Sequence, residues 1–358
     1  MNRGSKHILR LLGQSVAFWI FAMCCYVLFR FLGIESESAF LLKEGYDSQK
    51  VLKETLIIFS ISGLGLGVLY FVVDYFLEKY LSKKFALGLQ LLLKASLYFL
   101  VTIIVASLAG KFAVQFFKMN IDIKPGWWIH DRRFWSVQVY VILSSFVFLF
   151  LRIAAERFGE GVFLKILVGA YKNPKEQERI FMFLDLKDST TIAEKIGHKK
   201  YSQFIQDCFY DLNKVLLRYE GEIYQYVGDE AVLTWSYKKG ISKNNCVDLF
   251  FAFQKEKASR AAYYNKKYGI FPEFKAGLHG GTLMATEVGF VKKELAYHGD
   301  VINTTARIQA ACNAYNTSLL VSEGILNDLK TDNIYTTDFI GEVQLKGKNQ
   351  QVKIHSIQ

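Results

Sequence analysis

The stretch EIYQYVGDEAVLTW (residues 222–235) contains two apolar-rich segments on either side of Gly228 and Asp229. Segments rich in aromatic and branched residues that flank a two-residue turn with glycine predict an antiparallel β-hairpin. The predicted strands are Glu222–Val227 and Ala231–Trp235, and the turn places the carboxylate of Asp229 at the tip. This hairpin decides the fold class, because it excludes a purely parallel, doubly wound sheet.

The segments around the hairpin alternate between strand and helix patterns. RIFMFLDL (residues 179–186) is a short apolar run that predicts a buried strand, and Asp185 lies at its end. Further along, the sequence predicts a helix from Ser189 to about Tyr219, a helix from about Val247 to Tyr268, a strand within EFKAGLHGGTLMATEVG (residues 273–289) and a helix over Asp300–Tyr315. This order predicts an α+β domain with a mixed sheet.

Two carboxylates, Asp185 and Asp229, are predicted to meet at one edge of this sheet, provided that the two strands pair. Paired carboxylates suit Mg²⁺ or Mn²⁺, which prefer oxygen ligands and keep positions open for substrate phosphates. Ser189 and Thr190 follow at a predicted helix N-terminus, where free N–H groups favour an anion such as a triphosphate. The alternative is that Asp229 is only a turn residue and that Asp185 only caps the helix.

Two later segments carry further polar side chains. In GDVINTTARIQ (residues 299–309), Asn303 and Arg307 are four residues apart and therefore share one face of the predicted helix. An amide and a guanidinium on one face suit a ribose and a phosphate. LKGKNQQVKIHSI (residues 345–357) places Lys346 in a turn before the last strand, where it is either a phosphate contact or part of a solvated basic turn.

The first half of the chain is predicted to cross a membrane. The sequence is 51% hydrophobic, and four apolar runs are each close to the roughly 20 residues that a helix needs to cross a bilayer. These runs are Ile8–Leu32, Thr55–Leu77, Leu87–Gly110 and Trp135–Ile153. The alternative is that these runs form buried helices of a soluble core. Four such runs with few charges favour membrane-spanning helices instead. The net charge of +11 then reflects cytoplasmic Lys and Arg, and no motif indicates a nucleic-acid partner.

The charges that flank the spans predict the orientation. Basic residues cluster before the first run, after the second and after the fourth, whereas the link between the first two is acid-rich. Because positive charges stay in the cytoplasm, both termini are predicted to be cytoplasmic. We therefore expect a four-helix transmembrane domain over residues 1–153, a linker or transducer helix over 154–178 and the α+β domain over 179–358. The membrane or lipid signal that the spans sense is unknown from the sequence.

From residue 179 to the C-terminus, the chain resembles the class III nucleotidyl cyclases, the family of adenylyl and guanylyl cyclases. The resemblance rests on FLDLKDST, YVGDEAVLTW, GDVINTTARIQ and LKGKNQQVKIHSI, which occur in the family's order and at similar spacing. It implies a ferredoxin-like palm core and a membrane-anchored enzyme of the bacterial type, in the cell (inner) membrane. The implied reaction converts ATP to 3′,5′-cyclic AMP and pyrophosphate.

The resemblance also implies how the site is assembled. Asp185 and Asp229, with the carbonyl of Leu186, would bind two Mg²⁺ or Mn²⁺ ions per site. In this family the metal-binding acids come from one protomer and the Asn/Arg pair comes from the other. The chain is therefore expected to form a homodimer with two equivalent, shared sites.

The matching residues near the C-terminus have implied catalytic roles. Asn303 would orient the ribose, Arg307 would stabilise the charge on the α-phosphate, and Lys346 would hold phosphate. This is in-line phosphoryl transfer, in which positioning and electrostatics supply most of the catalysis.

Two positions depart from the family pattern where the base is read. Adenylyl cyclases usually have Lys at the position of Gln225 and Asp or Thr at that of Ala296, whereas guanylyl cyclases usually have Glu and a small residue such as Cys or Ser. Gln225 both donates and accepts, and Ala296 makes no side-chain hydrogen bond. ATP is the expected substrate and GTP is the main alternative. A diguanylate cyclase and a non-catalytic nucleotide-binding signalling module are further alternatives that the motifs disfavour.

Overall fold

Long apolar helices make up the first part of the chain. The computed structural model describes residues 3–38, 48–80, 87–117, 126–158, 169–290, 293–330, 335–344 and 351–358. The chain divides into two units, Met1–Ala154 and Ala155–Gln358. The first unit contains the helices α1 (Arg3–Ser38), α2 (Ser48–Tyr80) and α3 (Leu87–Phe117) and most of α4 (Arg132–Phe158), with a 3₁₀ turn at Trp127–Ile129.

Each of these four helices contains a segment that is long and apolar enough to cross a membrane. The segments are Ile8–Leu32, Gln49–Leu77, Leu92–Phe117 and Phe134–Arg152. The sequence therefore predicted the four helices correctly, with shifts of a few residues at the ends of the second and third spans.

Glycines allow α1 and α2 to approach each other closely. A Cβ built on Gly63 would lie 2.7 Å from the Cα of Ile20, and one built on Gly67 would lie 2.6 Å from the Cα of Val16. Real Cβ atoms do not tolerate such distances, so only glycine fits at these two positions. The Ser15 hydroxyl of α1 also donates to the carbonyl of Gly67 over 2.9 Å. Small residues at such contacts are typical of helix pairs in membranes.

An ionic cluster joins three of the helices. Asp74 of α2 is nearly buried, and its carboxylate lies 2.9 Å from Lys94 Nζ of α3 and 3.5 Å from Arg152 Nη1 of α4. A charge that is removed from water is costly unless it is paired, and these contacts supply the pairing.

The second unit is an α+β domain, as the sequence predicted. Its strands are β1 (Lys175–Leu186), β2 (Glu222–Val227), β3 (Glu230–Ser236), β4 (Phe274–Val288), β5 (Glu294–His298), β6 (Leu319–Ser322), β7 (Thr337–Gln344) and β8 (Gln351–Ile357). Its helices are α5 (Ser189–Ile196), α6 (His198–Leu216), α7 (Tyr237–Ile241), α8 (Asn245–Ser259), α9 (Ala261–Tyr268), α10 (Asp300–Ala314) and α11 (Glu323–Asp328), with 3₁₀ turns at Leu217–Tyr219 and Ser242–Asn244.

The described strands form one mixed sheet in the order β2-β3-β1-β4-β6-β8-β7, and β5 pairs with β4. The β4–β6 pair is parallel, whereas the pairs of β1 with β3 and β4, of β2 with β3 and of β7 with β8 are antiparallel. The order β2-β3-β1-β4, with helices after β1 and β3, is the ferredoxin-like arrangement that the family resemblance implied.

The two faces of the sheet are buried by different helices. On one face, Ile180, Met182 and Leu184 of β1 pack in a cluster with residues of α6 and α8 such as Phe204 and Phe250. On the other face, Phe181 and Phe183 of β1 belong to a smaller cluster with Leu283 and Ala285 of β4, Tyr297 of β5 and Val301 of α10. The alternation of faces along β1 places Asp185, its penultimate residue, on the same face as Phe181 and Phe183.

Two long predicted helices are interrupted in the structure. The helix predicted from Ser189 to Tyr219 breaks at Gly197, whose φ of 78° lies in the region that favours glycine. The helix predicted from Val247 to Tyr268 breaks at Arg260, where φ is −106° and ψ is 14°. The Arg260 guanidinium pairs with the fully buried carboxylate of Asp211, a contact between elements that a local helical pattern does not reveal.

Candidate active site

Asp185 and the tip of the β2–β3 hairpin lie at the same end of the sheet. β1 and β3 are antiparallel, and Asp185 is opposite Glu230 in their register. Gly228 and Asp229 form the two-residue turn just before Glu230, and Gly228 has the positive φ of 63° that such a turn requires. The predicted convergence of Asp185 and Asp229 follows directly from this pairing.

The environment of Asp185 agrees with this proximity. Burial raises the pKa of its carboxyl group, the hydrogen bond and charge of Lys275 lower it, and the charge of Asp229 raises it. The two carboxylates are therefore close enough to repel each other. Such repulsion favours a bound cation between them.

Two side chains that the sequence did not single out hold Asp185. Lys275 Nζ of β4 lies 3.2 Å from Asp185 Oδ2, and Gln309 Nε2 of α10 donates to the same oxygen over 3.0 Å. Lys275 also donates to Asn313 Oδ1 over 3.1 Å. Lys275 is directly opposite Asp185 in the β1–β4 register, so only knowledge of that register identifies it.

Glu230 is a third carboxylate in this region that the sequence prediction missed. Burial raises its pKa to about 7, with further contributions from the charges of Asp185 and Asp229. The sequence could have identified Glu230 as a site residue, because it directly follows Asp229. Burial beside two further carboxylates therefore favours the protonated form of Glu230 more than water does.

The segment after Asp185 enters α5 through a left-handed residue. Leu186 ends β1, and Asp188 has a φ of 55°, a conformation that glycine adopts without strain and that aspartate tolerates. Ser189 and Thr190 form the first turn of α5, and no side chain caps that turn within the described residues. The predicted helix start is thus confirmed, at the same end of β1 as Asp185.

Asn303 and Arg307 lie on a different side of α10 from Gln309. Because successive residues of a helix are about 100° apart, Arg307 and Gln309 are about 200° apart around the helix axis. Gln309 is buried and contacts Asp185, whereas Asn303 is exposed. Arg307 Nη1 donates to the carbonyl of Gln344, the last residue of β7, over 3.3 Å. Within the described parts of the chain, neither Asn303 nor Arg307 makes a hydrogen bond or an ion pair with Asp185 or Asp229.

The two predicted base-reading residues occupy neighbouring parts of the domain. Gln225 is exposed on β2, next to an irregularity between Ile223 and Gln225 in the β2–β3 register. Ala296 lies on β5 opposite Thr286 of β4. The residues beside them, Tyr224 and Tyr297, pack with ring centroids 5.1 Å apart. The remaining predicted residue, Lys346, lies outside the described residues.

The residues at this edge suit a divalent cation that is also bound by a substrate. Lys275 and Gln309 both contact Asp185 Oδ2. Oδ1 accepts no hydrogen bond from the described residues and is therefore available to a cation. No group of three or more His, Cys, Asp or Glu side chains forms a closed metal cage in the described parts of the chain. Mg²⁺ is typically held by one or two carboxylates and by substrate phosphates, so the set of Asp185, Asp229 and the Leu186 carbonyl fits it.

Comparison with known proteins gives relatives of this domain. Adenylate cyclase 2 of Rhizobium meliloti (strain 1021) is 35% identical over 222 residues, which are 62% of this chain and 61% of that protein. Adenylate cyclase 1 of the same organism is 25% identical over 185 residues, which are 51% of this chain and 27% of that protein. The chain thus spans about three fifths of the first relative and about a quarter of the second.

A solved structure of a bacterial light-regulated adenylyl cyclase shares the fold. Its TM-score is 0.51 at 16% sequence identity, over 62% of this chain and 64% of that chain. The family model described as "Adenylate and Guanylate cyclase catalytic domain" matches residues 171–358, more than half of the chain. With its ordered motifs, its mixed sheet and this match, the chain belongs to the class III adenylyl and guanylyl cyclase family.

Proposed function

We propose that this chain is a membrane-bound adenylate cyclase that converts ATP to 3′,5′-cyclic AMP and pyrophosphate. The observation that supports this most strongly is the pairing of β1 with the β2–β3 hairpin, which brings Asp185 next to Asp229 in a chain of the cyclase family. The catalytic domain would lie in the cytoplasm, with both termini there. The four apolar helices would anchor it in the cell (inner) membrane.

Asp185, Asp229 and the Leu186 carbonyl would hold two Mg²⁺ or Mn²⁺ ions. The ions would supply Lewis-acid stabilisation of the phosphate oxygens and would lower the pKa of the ribose 3′-OH. With a cation at the carboxylate of Asp185, the ammonium of Lys275 would be able to contact the polyphosphate. Gln309 keeps Asp185 in place through its bond to Oδ2. The first turn of α5, with Ser189 and Thr190, offers N–H groups to the phosphates.

The second set of residues would act on the reacting atoms from a partner copy. The 3′-OH would release its proton to solvent as its oxygen bonds to the α-phosphorus, the bond from that phosphorus to the bridging oxygen would break, and pyrophosphate would leave with that oxygen. Asn303 would orient the ribose, and Arg307 and Lys346 would stabilise phosphate charge. The opposite directions of Gln309 and Arg307 on α10 support a homodimer with shared sites. In one protomer, α10 holds the metal-binding acid and presents its exposed Asn303 elsewhere.

GTP is the second candidate substrate. Gln225 is exposed, and its amide both donates and accepts, so it accommodates the edge of adenine or guanine.

The domain boundaries that we propose are a membrane domain over residues 1–153, a linker over 154–178 and the catalytic domain over 179–358.

The test uses the purified full chain in detergent with Mn²⁺ and either ATP or GTP, and products are identified by mass spectrometry. We expect cyclic AMP from ATP at a higher kcat/KM than any cyclic GMP from GTP. Asp229→Asn should abolish both products. A higher kcat/KM for GTP would reassign the enzyme as a guanylate cyclase. The absence of product from either nucleotide would refute the proposal.

A further inference from the structure

Strand β2 contains a bulge directly before Gln225. In the register with β3, Glu222 is opposite Thr234 and Gln225 is opposite Val232, so three steps along β2 match two steps along β3. The extra residue is Tyr224. Because Thr234 and Val232 lie on one face of β3, Glu222 and Gln225 also share that face. Without the bulge, Gln225 would lie on the opposite face from Glu222, so the bulge decides where Gln225 points.

The guanidinium of Arg179 connects β1 to β2 on this face, across β3. Arg179 is buried, its Nη2 donates to Glu222 Oε2 over 2.5 Å, and its Nε donates to Thr234 Oγ1 over 3.0 Å. Its Cζ also lies 5.1 Å from the centre of the Tyr297 ring of β5. Charge-assisted bonds from a planar guanidinium fix the direction of a carboxylate as well as its distance. Arg179 therefore holds β2 in place immediately before the bulge.

The extra residue of the bulge is itself packed. The ring of Tyr224 lies 5.1 Å from that of Tyr297 and 5.9 Å from that of Phe181. Tyr297 thus packs against both the Arg179 guanidinium and the bulge. Strand β2 is the last strand on its side of the sheet and pairs with β3 alone among the described strands. Because backbone hydrogen bonds hold β2 on one side only, side-chain contacts contribute much of what fixes its position.

We propose that Arg179 is a positioning residue of the nucleotide site, which holds the bulge through its ion pair with Glu222 and thereby directs Gln225 to the edge of the purine. This inference rests on the proposed function, since it takes Gln225 as a base-reading position. Gln225 is exposed, and its partner on β3 is opposite Phe183 of β1, so it lies on the same face of the sheet as Asp185. Arg179 acts through β2 and does not contact the nucleotide.

The decisive variants remove the ion pair. In the full-length protein with Mn²⁺, Arg179→Met should raise KM for ATP about three- to tenfold and leave kcat within about twofold, because a contact to the base is made equally in ground and transition states. The double variant Arg179→Met with Glu222→Leu should show the same rise. It leaves neither partner of the ion pair as an unpaired charge, and folds generally tolerate such apolar replacements.

Two further measurements establish whether the effect passes through Gln225. In a Gln225→Ala background, Arg179→Met should change KM for ATP by less than about twofold, because the contact that Arg179 positions is already absent. Pyrophosphate has no base. Its inhibition constant as a product should therefore stay within about twofold of the wild-type value in Arg179→Met, whereas general damage to the domain would raise it.

Lys214→Met is the matched control, since it removes an ion pair between two elements elsewhere in the domain. Lys214 Nζ of α6 lies 2.7 Å from Glu256 Oε1 of α8. We expect its KM for ATP to equal that of the wild type. An unchanged KM in Arg179→Met and in the double variant would overturn the role of Arg179 while wild-type activity upholds the proposed function.

An equal rise of KM in the Gln225→Ala background, or a parallel rise in the inhibition constant of pyrophosphate, would overturn it in the same way. A wild-type protein that forms no cyclic nucleotide would overturn both this role and the proposed function.

Discussion

Lys275 Nζ lies 3.2 Å from Asp185 Oδ2, across the antiparallel pair of β1 and β4. The carboxylate at the centre of the proposed metal site is therefore balanced by a cation from the neighbouring strand. Lys275 lowers the pKa of Asp185 against the effect of burial, so that it favours the ionised form that a metal requires. In the proposed site, the same ammonium would also contact the phosphates of the nucleotide.

Replacing Lys275 by Met should lower kcat/KM for ATP by about tenfold or more. The substitution removes a charge-assisted contact, and such contacts are typically worth about 1.5–3 kcal/mol. It also leaves Asp185, Asp229 and Glu230 without the cation that offsets their repulsion of a polyphosphate. Steady-state kinetics at saturating Mn²⁺ provide the measurement.

Lys275→Arg is the control, because it keeps the positive charge at the same position. Most of the activity should survive in this variant. If Lys275→Met and Lys275→Arg lose the same amount of activity, the shape of the side chain matters and the charge does not.

At neutral pH, the second unit should be less stable with Lys257 than with an apolar residue at the same position. Lys257 is fully buried, donates to the carbonyl of Pro272 over 3.0 Å, and lies near the rings of Phe253 and Phe274. Burial lowers its pKa from 10.5 to about 8. Between pH 8 and 10.5 the unfolded chain therefore binds more protons, so stability rises with pH in this window. Below pH 8 the charged form is buried, and this lowers the free energy of unfolding by about 3 kcal/mol.

Lys257→Met should therefore raise the free energy of unfolding at pH 7 by about 2 kcal/mol, after about 1 kcal/mol is subtracted for the lost hydrogen bond. This advantage should shrink at pH 9.5. Pulsed thiol labelling in urea, read at the buried Cys208, Cys246 and Cys312, reports unfolding of this unit alone. A variant that is less stable than wild type at both pH values would show that the ammonium stabilises the fold.

Gly67→Val should disrupt the packing of α1 against α2. The new Cβ would meet the backbone of Val16 at 2.6 Å, and backbone atoms cannot move aside as a flexible side chain does. We expect a lower thermal stability in detergent, measured by the loss of monodisperse protein on heating.

Gly65→Ala serves for comparison, since its Cβ would only touch the side chain of Val105 at 3.4 Å. This variant should remain close to wild type. Equal stability of the Gly67→Val and Gly65→Ala proteins would contradict the close contact of α1 and α2.

The local signals in the sequence predicted much of the fold. Short periodic segments predicted three elements of the site. These are the hairpin at Gly228 and Asp229, the apolar strand that contains Asp185 and the helix that carries Asn303 and Arg307. The four apolar helices are equally local features, because their length and composition are sufficient to identify them. These elements occur in the structure close to their predicted bounds.

The contacts between distant segments were beyond reach of the sequence alone. Lys275 and Gln309 contact Asp185 only because β4 and α10 flank β1, a fact that no local pattern encodes. Arg260, at which the second long helix breaks, likewise pairs with the buried carboxylate of Asp211 in another helix. The description of the site therefore depends on the structure for strand registers and for ion pairs between distant segments.

In the proposed homodimer, each active site combines Asp185 and Asp229 of one protomer with Asn303 and Arg307 of its partner. Differently tagged Asp185→Asn and Arg307→Ala chains are co-expressed, and mixed dimers are isolated by tandem purification. Each variant alone should form almost no cyclic AMP. The mixed dimers contain one intact site and should recover up to about half of the wild-type rate. Verified mixed dimers that remain as inactive as either variant alone would contradict the claim.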